Sequence, residues 1–137
     1  MTKDIWLNLP VKDVQRSKQF FTALGFEFNP HGETVNSLCM LVGEKKVVVM
    51  LFDEPTFKSF TGDELTNPDK AIEVLISIDA ESRAEVDELA NKAVEAGGVC
   101  NHTPSEKDGW LYGCVFHDLD GHRWNVLHMD MSKLPQG

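Results

Sequence analysis

The sequence has no long apolar run, no cluster of basic residues and no Cys-x-x-C pair, and each absence removes a class of protein. A membrane-crossing helix needs roughly 18 or more successive apolar residues, and no segment comes near that. Lys3 and Asp4 interrupt the start of the chain before an apolar leader could form, so a cytoplasmic protein is expected. Lys and Arg number 13 against 22 Asp and Glu, a formal net charge of −9. Such a field repels phosphate backbones and anionic lipid, so neither nucleic acid nor a membrane surface is an expected partner. Cys39, Cys100 and Cys114 are odd in number and lack metal-ligand spacing, which points to reduced core thiols rather than a disulfide framework or zinc knuckle. Also missing are a nucleophile elbow, a phosphate-binding glycine loop and a recognisable Cys–His pair.

What is present is a patterned globular chain. Its 137 residues, 42% of them apolar, suffice for one domain with a core that needs no disulfide or metal. Residues Ile5 to Val11 read as a strand. Asp13 then offers an N-cap to a helix with Val14, Phe20, Phe21 and Leu24 on one stripe, ended by Gly25. Phe26 to Phe28, Val35 to Val42 and Lys46 to Phe52 read as extended segments, the last two joined by a turn at Gly43-Glu44-Lys45.

The second half repeats this plan. Ile72 to Ile78 reads as a strand, and Ser82 with Glu85 has capping-box spacing before a helix with Val86, Leu89, Ala90, Ala93 and Val94 on one face. Gly97-Gly98 stops it. Trp110 to His117 and His122 to Met129 follow as strands around Asp120-Gly121, a strong hairpin signal. The reading is therefore a single domain, 1–137, with modules at about 1–53 and 70–131. Residues 54–69, which include Pro55 and Pro68, form a linker or arm with one short helical turn at most. Its Phe57 and Phe60 need covering, as anchors on the body, at a dimer contact, or as a lid. Residues beyond Asp130 read as a short tail.

Leu9-Pro10-Val11-Lys12-Asp13, the helix end Phe20-Phe21-Thr22-Ala23-Leu24-Gly25-Phe26 and the turn Asp118-Leu119-Asp120-Gly121-His122 together resemble the vicinal-oxygen-chelate superfamily. This is the glyoxalase, bleomycin-resistance and extradiol-dioxygenase group. Ile5 to Phe26 and Trp110 to Asp130 are similar, more narrowly, to a bacterial branch labelled predicted lactoylglutathione lyase. The resemblance covers nearly the whole chain. It implies an α+β fold of two βαβββ modules whose strands curl into an open, barrel-like sheet over a ligand site, often in a homodimer. The repeat alone also allows a ferredoxin-like pair of modules; length and the C-terminal hairpin favour the first. Fold by itself supplies no chemistry.

In metal-using members the ligands come from the first and last strands of each module, and those positions read Trp6, Met50, Glu73 and Asn125 here. His, Glu or Gln would be usual. An indole nitrogen has no lone pair to give and a thioether is a soft donor, so the divalent metal implied by the resemblance finds too few ligands and no cofactor is expected. Strand alternation places Trp6, Asn8, Val48, Met50, Phe52, Glu73, Leu75, Ser77, Asn125 and Leu127 on a cavity face. Their neighbours, from Ile5, Leu7, Leu9, Val47, Val49 and Leu51 to Ile72, Val74, Ile76, Trp124 and Val126, are expected against the helices.

The cavity face is mostly apolar and aromatic, which suits a small organic ligand and equally a filled core. Its ligand-binding candidates are Trp6, Asn8, Met50, Phe52 and Asn125, and Glu73 is its one ionisable residue. Glu73 reads either as a base for a carbon acid beside a carbonyl or as an exposed strand-end residue. His117, His122 and His128 lie on or beside the C-terminal hairpin without converging, Tyr112 and Trp110 read as rim or core residues, and His31 and His102 sit in turn-rich stretches. Three functions stay open: a lyase or dioxygenase of the glyoxalase type, a metal-independent protein sequestering an aromatic or cationic compound, and a filled domain acting through its surface.

Overall fold

Asp13 caps the first helix, its carboxylate accepting the Arg16 backbone N–H at 3.1 Å. That satisfies one of the donors a helix start leaves open. The helix, α1 (Val14–Ala23), buries Val14, Ser17, Phe20 and Phe21, so the stripe read from the sequence is the packed one. The computed structural model describes residues 1–133. It divides into two compact units, Met1–Asn67 and Pro68–Gly137.

Around α1 the first unit places β1 (Leu7–Val11), β2 (Glu27–Thr34), β3 (Ser37–Val42) and β4 (Val47–Asp53), followed by α2 (Glu54–Thr61). The second unit repeats the order with β5 (Leu75–Asp79), α3 (Arg83–Glu95), β6 (Val99–Lys107), β7 (Leu111–His117) and β8 (Arg123–Met129). Each unit is a βαβββ module with one open, mixed, four-stranded sheet, ordered β1-β4-β3-β2 and β5-β8-β7-β6. In each, the first and last strands pair in parallel and the remaining neighbours antiparallel.

Four differences from the sequence reading have clear causes. The strand β6 was not anticipated: it is a polar edge strand with Pro104 inside it and two register shifts against β7. Proline and bulges are tolerated at an edge, where an N–H has no partner to lose, and they erase the alternation a reader looks for. His31 and His102 accordingly lie on the edge strands β2 and β6, not in turns. The arm at 54–69 contains a two-turn helix, α2, capped by the Asp53 carboxylate on the Thr56 N–H at 3.0 Å and packed on β1 and β4. Finally, β1 and β5 begin at Leu7 and Leu75, so Trp6 and Glu73 stand just ahead of their strands.

The alternation holds along the strand centres. Leu9, Val49 and Leu51 in the first unit and Trp124 and Val126 in the second are buried, as predicted for the helix side. Towards the strand starts it fails, since Ile5, Leu7, Val47, Ile72 and Val74 are exposed and Ile76 only half-buried. α1 packs on β3 and β4, and α3 on β6, β7 and β8, so those ends extend past the cover. Val94 on α3 is likewise exposed, because the buried stripe narrows to Val86, Ala90 and Ala93.

The turn between β7 and β8 closes on a buried carboxylate. Oδ1 of Asp118 accepts the backbone N–H groups of Asp120 and His122, each at 3.0 Å, and Oδ2 accepts the Trp124 indole N–H at 3.1 Å. Burial pushes this carboxyl upward, opposed by His122 and the three donors. Tyr112 faces the helix side of β7: its hydroxyl donates to Asp87 on α3 at 2.6 Å and the Arg83 guanidinium lies over its ring. That contact takes it away from any cavity mouth. Cys39 and Cys114 are buried and Cys100 half-buried, and burial pushes the Cys114 thiol up to about 12, which keeps it protonated.

Gly113 is required by close packing between β7 and β8. A Cβ there would lie 2.5 Å from the Val126 carbonyl oxygen and 2.7 Å from a Leu127 methyl. Because the nearer atom is backbone, Gly113→Ala is expected to lower stability by about 1–3 kcal/mol, read from the urea midpoint at unchanged slope. The expected tail lies largely outside the described residues, of which Met131–Lys133 form one 3-10 turn.

Candidate functional site

Each unit carries an open cavity. In the first, a cavity of about 710 Å³ is floored by Val48, Met50 and Phe52, which alternate along β4, with Trp6 beside them ahead of β1. The period-two geometry of a strand brings these three to one face. Trp6 is 56% exposed, so an indole lies open to solvent there. Phe60 of α2, itself exposed, meets Phe52 edge to face at a centroid distance of 4.9 Å. Lys3, Lys45 and Lys46 stand at the rim with Asp4, and Lys46 is paired with Glu27 at 2.8 Å. Asn8 sits opposite Met50 in the β1–β4 register but does not line this cavity.

In the second unit a cavity of about 430 Å³ lies beside Glu73, Leu75, His102, Val115, His117 and Arg123. Here β5, β6, β7 and β8 each contribute a side chain or the residue just ahead of the strand. Burial, the Arg123 charge and His102 together hold His117 below the usual histidine range, with Asp69 acting weakly against them. Its imidazole is therefore neutral at pH 7 and offers one N–H. Asn125 is not on this cavity; its amide donates to Ser77 Oγ at 3.1 Å. His128 is held with Nδ1 3.0 Å from the Ala80 carbonyl oxygen.

Residues 3–43 match a family model described as bleomycin resistance protein-like N-terminal. No curated protein matches the chain. Among solved structures, hypothetical protein SA1046 from S. aureus is 35% identical with a TM-score of 0.84, over 93% of this chain and 95% of that one. A glyoxalase/bleomycin resistance protein/dioxygenase family enzyme from Burkholderia phytofirmans superposes with a TM-score of 0.77 at 16% identity, over 91% of this chain and 97% of its own. The fosfomycin resistance protein FosX from Listeria monocytogenes gives 0.68 at 15% identity, over 97% and 98%. These likenesses show the fold of the glyoxalase/bleomycin resistance protein/dioxygenase group, and residues 3–43 carry the bleomycin resistance protein-like N-terminal match.

Superfamily members that use a divalent metal hold it with nitrogen and oxygen donors, so the residues present here can be tested for fit. The register pairs Met50 with Asn8 and Asn125 with Ser77, leaving Trp6 and Glu73 further out towards the strand starts. Trp6 offers no lone pair and Met50 only a thioether, while the Asn125 amide NH₂ donates to Ser77 and its oxygen is a single neutral donor. Among the described residues no three His, Cys, Asp or Glu side chains come together as a metal-binding group. Trp6 and Met50 are poor donors for such an ion. A ligand present at 100 times its Kd adds about 2.7 kcal/mol to stability. Nickel, zinc or manganese added to chelator-treated protein is therefore expected to leave the calorimetric Tm unchanged.

Trp6, Met50 and Phe52 of the predicted cavity face line the first cavity and Glu73 and Leu75 the second, whereas His102, His117 and Arg123 were not among the residues predicted for that face. Arg123 shares the parity of Asn125 on β8, and His117 that of Val115 on β7, so alternation carried the signal for both. His102 had none, because its strand was unread.

Proposed function

We propose that this protein is a member of the glyoxalase/bleomycin-resistance/dioxygenase group that acts as a metal-independent binding protein for a small aromatic molecule, held on the sheet face of its first unit. The observation that carries the reading is the open cavity floored by Trp6, Val48, Met50 and Phe52. A concave apolar wall of this size, with an aromatic side chain left open to water, gains free energy when a flat ligand covers it. With Lys46 paired to Glu27, Lys3 and Lys45 against Asp4 at the rim still favour a neutral or anionic ligand over a cation. Lyase or dioxygenase chemistry is not part of this reading, since Trp6 and Met50, at two of the four positions that would hold its metal, are poor donors. Glu73 is exposed, not enclosed, which leaves a base role without the shelter such a base uses.

The test is a fluorescence titration with 2-naphthol and related bicyclic aromatics. Trp124 is fully buried and hydrogen-bonded while Trp110 is half-buried, so the Trp6 share of the response is read from the difference between native protein and Trp6→Phe. A saturable change in the native protein that disappears in Trp6→Phe supports the proposal. A response of equal size in both, or none across the panel, removes it.

A further inference from the structure

The cavity of the second unit has a composition that apolar binding does not explain. Leu75 and Val115 form an apolar wall, while Arg123, His117 and His102 place hydrogen-bond donors around it. In a chain with 22 acidic residues against 13 Lys and Arg, a guanidinium normally finds a carboxylate. Arg123 instead has one Nη1 bond to the Gly121 carbonyl oxygen, made within its own turn. That bond fixes the side chain and leaves the remaining guanidinium N–H groups for another acceptor. A guanidinium matches the two oxygens of a carboxylate with parallel bonds, and a neighbouring neutral imidazole adds an N–H without adding charge.

We propose that this cavity binds a small organic carboxylate, with its anionic group on Arg123 and His117 and its apolar body against Leu75 and Val115. The proposal uses residues of the second unit alone and stands or falls without the reading of the Trp6 groove. Its volume of about 430 Å³ lies within the range of small-molecule pockets. Glu73 at the same cavity opposes the ligand's charge, so it limits affinity and selects against dianions. His102 supplies a further polar contact from β6.

The experiment is an amide-shift titration by NMR on the full chain with 3-phenylpropionate and its neutral counterpart 3-phenylpropan-1-ol. The carboxylate is expected to move the amides of Leu75, Val115, His117 and Arg123 saturably, and the alcohol to bind about tenfold more weakly. Arg123→Gln should reduce the carboxylate to the level of the alcohol, Arg123→Lys should fall between, and Glu73→Gln should bind the carboxylate severalfold more tightly. The comparison of the two probes on native protein needs no variant, so it stands even if a substitution at Arg123 disturbs the turn. Equal affinity for acid and alcohol, shifts confined to residues around Trp6, or full carboxylate binding by a folded Arg123→Gln protein would each overturn the proposal.

Discussion

Asp118→Ala should be the most damaging single substitution in the second unit, costing about 3–5 kcal/mol of unfolding free energy. The side chain is 5% exposed and receives three N–H bonds, two from its own turn and one from the fully buried Trp124. Removing it leaves those donors without an acceptor, and each buried orphan costs about 1–3 kcal/mol, reduced where water reaches the turn. Asp118→Asn separates charge from geometry. Its oxygen can serve the two backbone N–H groups, but its NH₂ then faces the Trp124 N–H, donor against donor. About half the alanine cost is expected, and Trp124→Phe in the same chain should relieve part of it, giving a double-mutant coupling of about 1 kcal/mol.

The pH dependence of that pair has a definite sign. Burial raises the folded-state carboxyl above its ordinary value of 3.8, so the folded protein binds the proton more readily than the unfolded one. The stabilisation from this shift is fully present below the unfolded value and is lost as pH rises through the folded value. Lowering the pH from 7 should therefore widen the stability advantage of native protein over Asp118→Asn, whose side chain does not titrate. Denaturant melts of the two proteins across that range measure the difference directly; an advantage that shrinks on acidification would contradict it.

The second large effect is on binding. Trp6→Ala should weaken an aromatic ligand of the first cavity by roughly 10- to 70-fold, because an indole contact burying some 60–100 Å² of apolar surface contributes about 1.5–2.5 kcal/mol at 25 cal/mol per Å². Fold stability should scarcely change, since Trp6 precedes β1 and is 56% exposed in the free protein. Asn8→Ala is the matched control: it lies on the neighbouring strand position but outside the cavity, and its affinity should stay within about twofold. Calorimetric titration of the three proteins with one aromatic ligand settles the comparison. Loss of binding in Asn8→Ala equal to that in Trp6→Ala would place the ligand elsewhere.

Local signals carried the architecture a long way. Asp13 and Ser82 cap helices where their spacing places them, accepting the N–H groups of Arg16 and Glu85. Gly25, Gly97 and Gly121 occupy the positive-φ positions that end helices or turn the hairpin. These depend on residues within a few positions of one another, so the chain states them openly. Parity along β4 and β8 is equally local, and it sorted Met50 from Leu51 and Asn125 from Trp124.

What the sequence by itself determined is thus the repeated order of elements, the caps and turns, and the face to which each central strand residue belongs. Tertiary structure alone decided which of those faces end in open cavities and which polar groups meet there. Pairing of the edge strand β6 across two bulges carries His102 to the cavity of His117 and Arg123. The folding of β8 back along β7 fixes Trp124 against Asp118. Both outcomes are set by register between strands, and register is decided by the summed packing of whole faces, which no short stretch of residues contains.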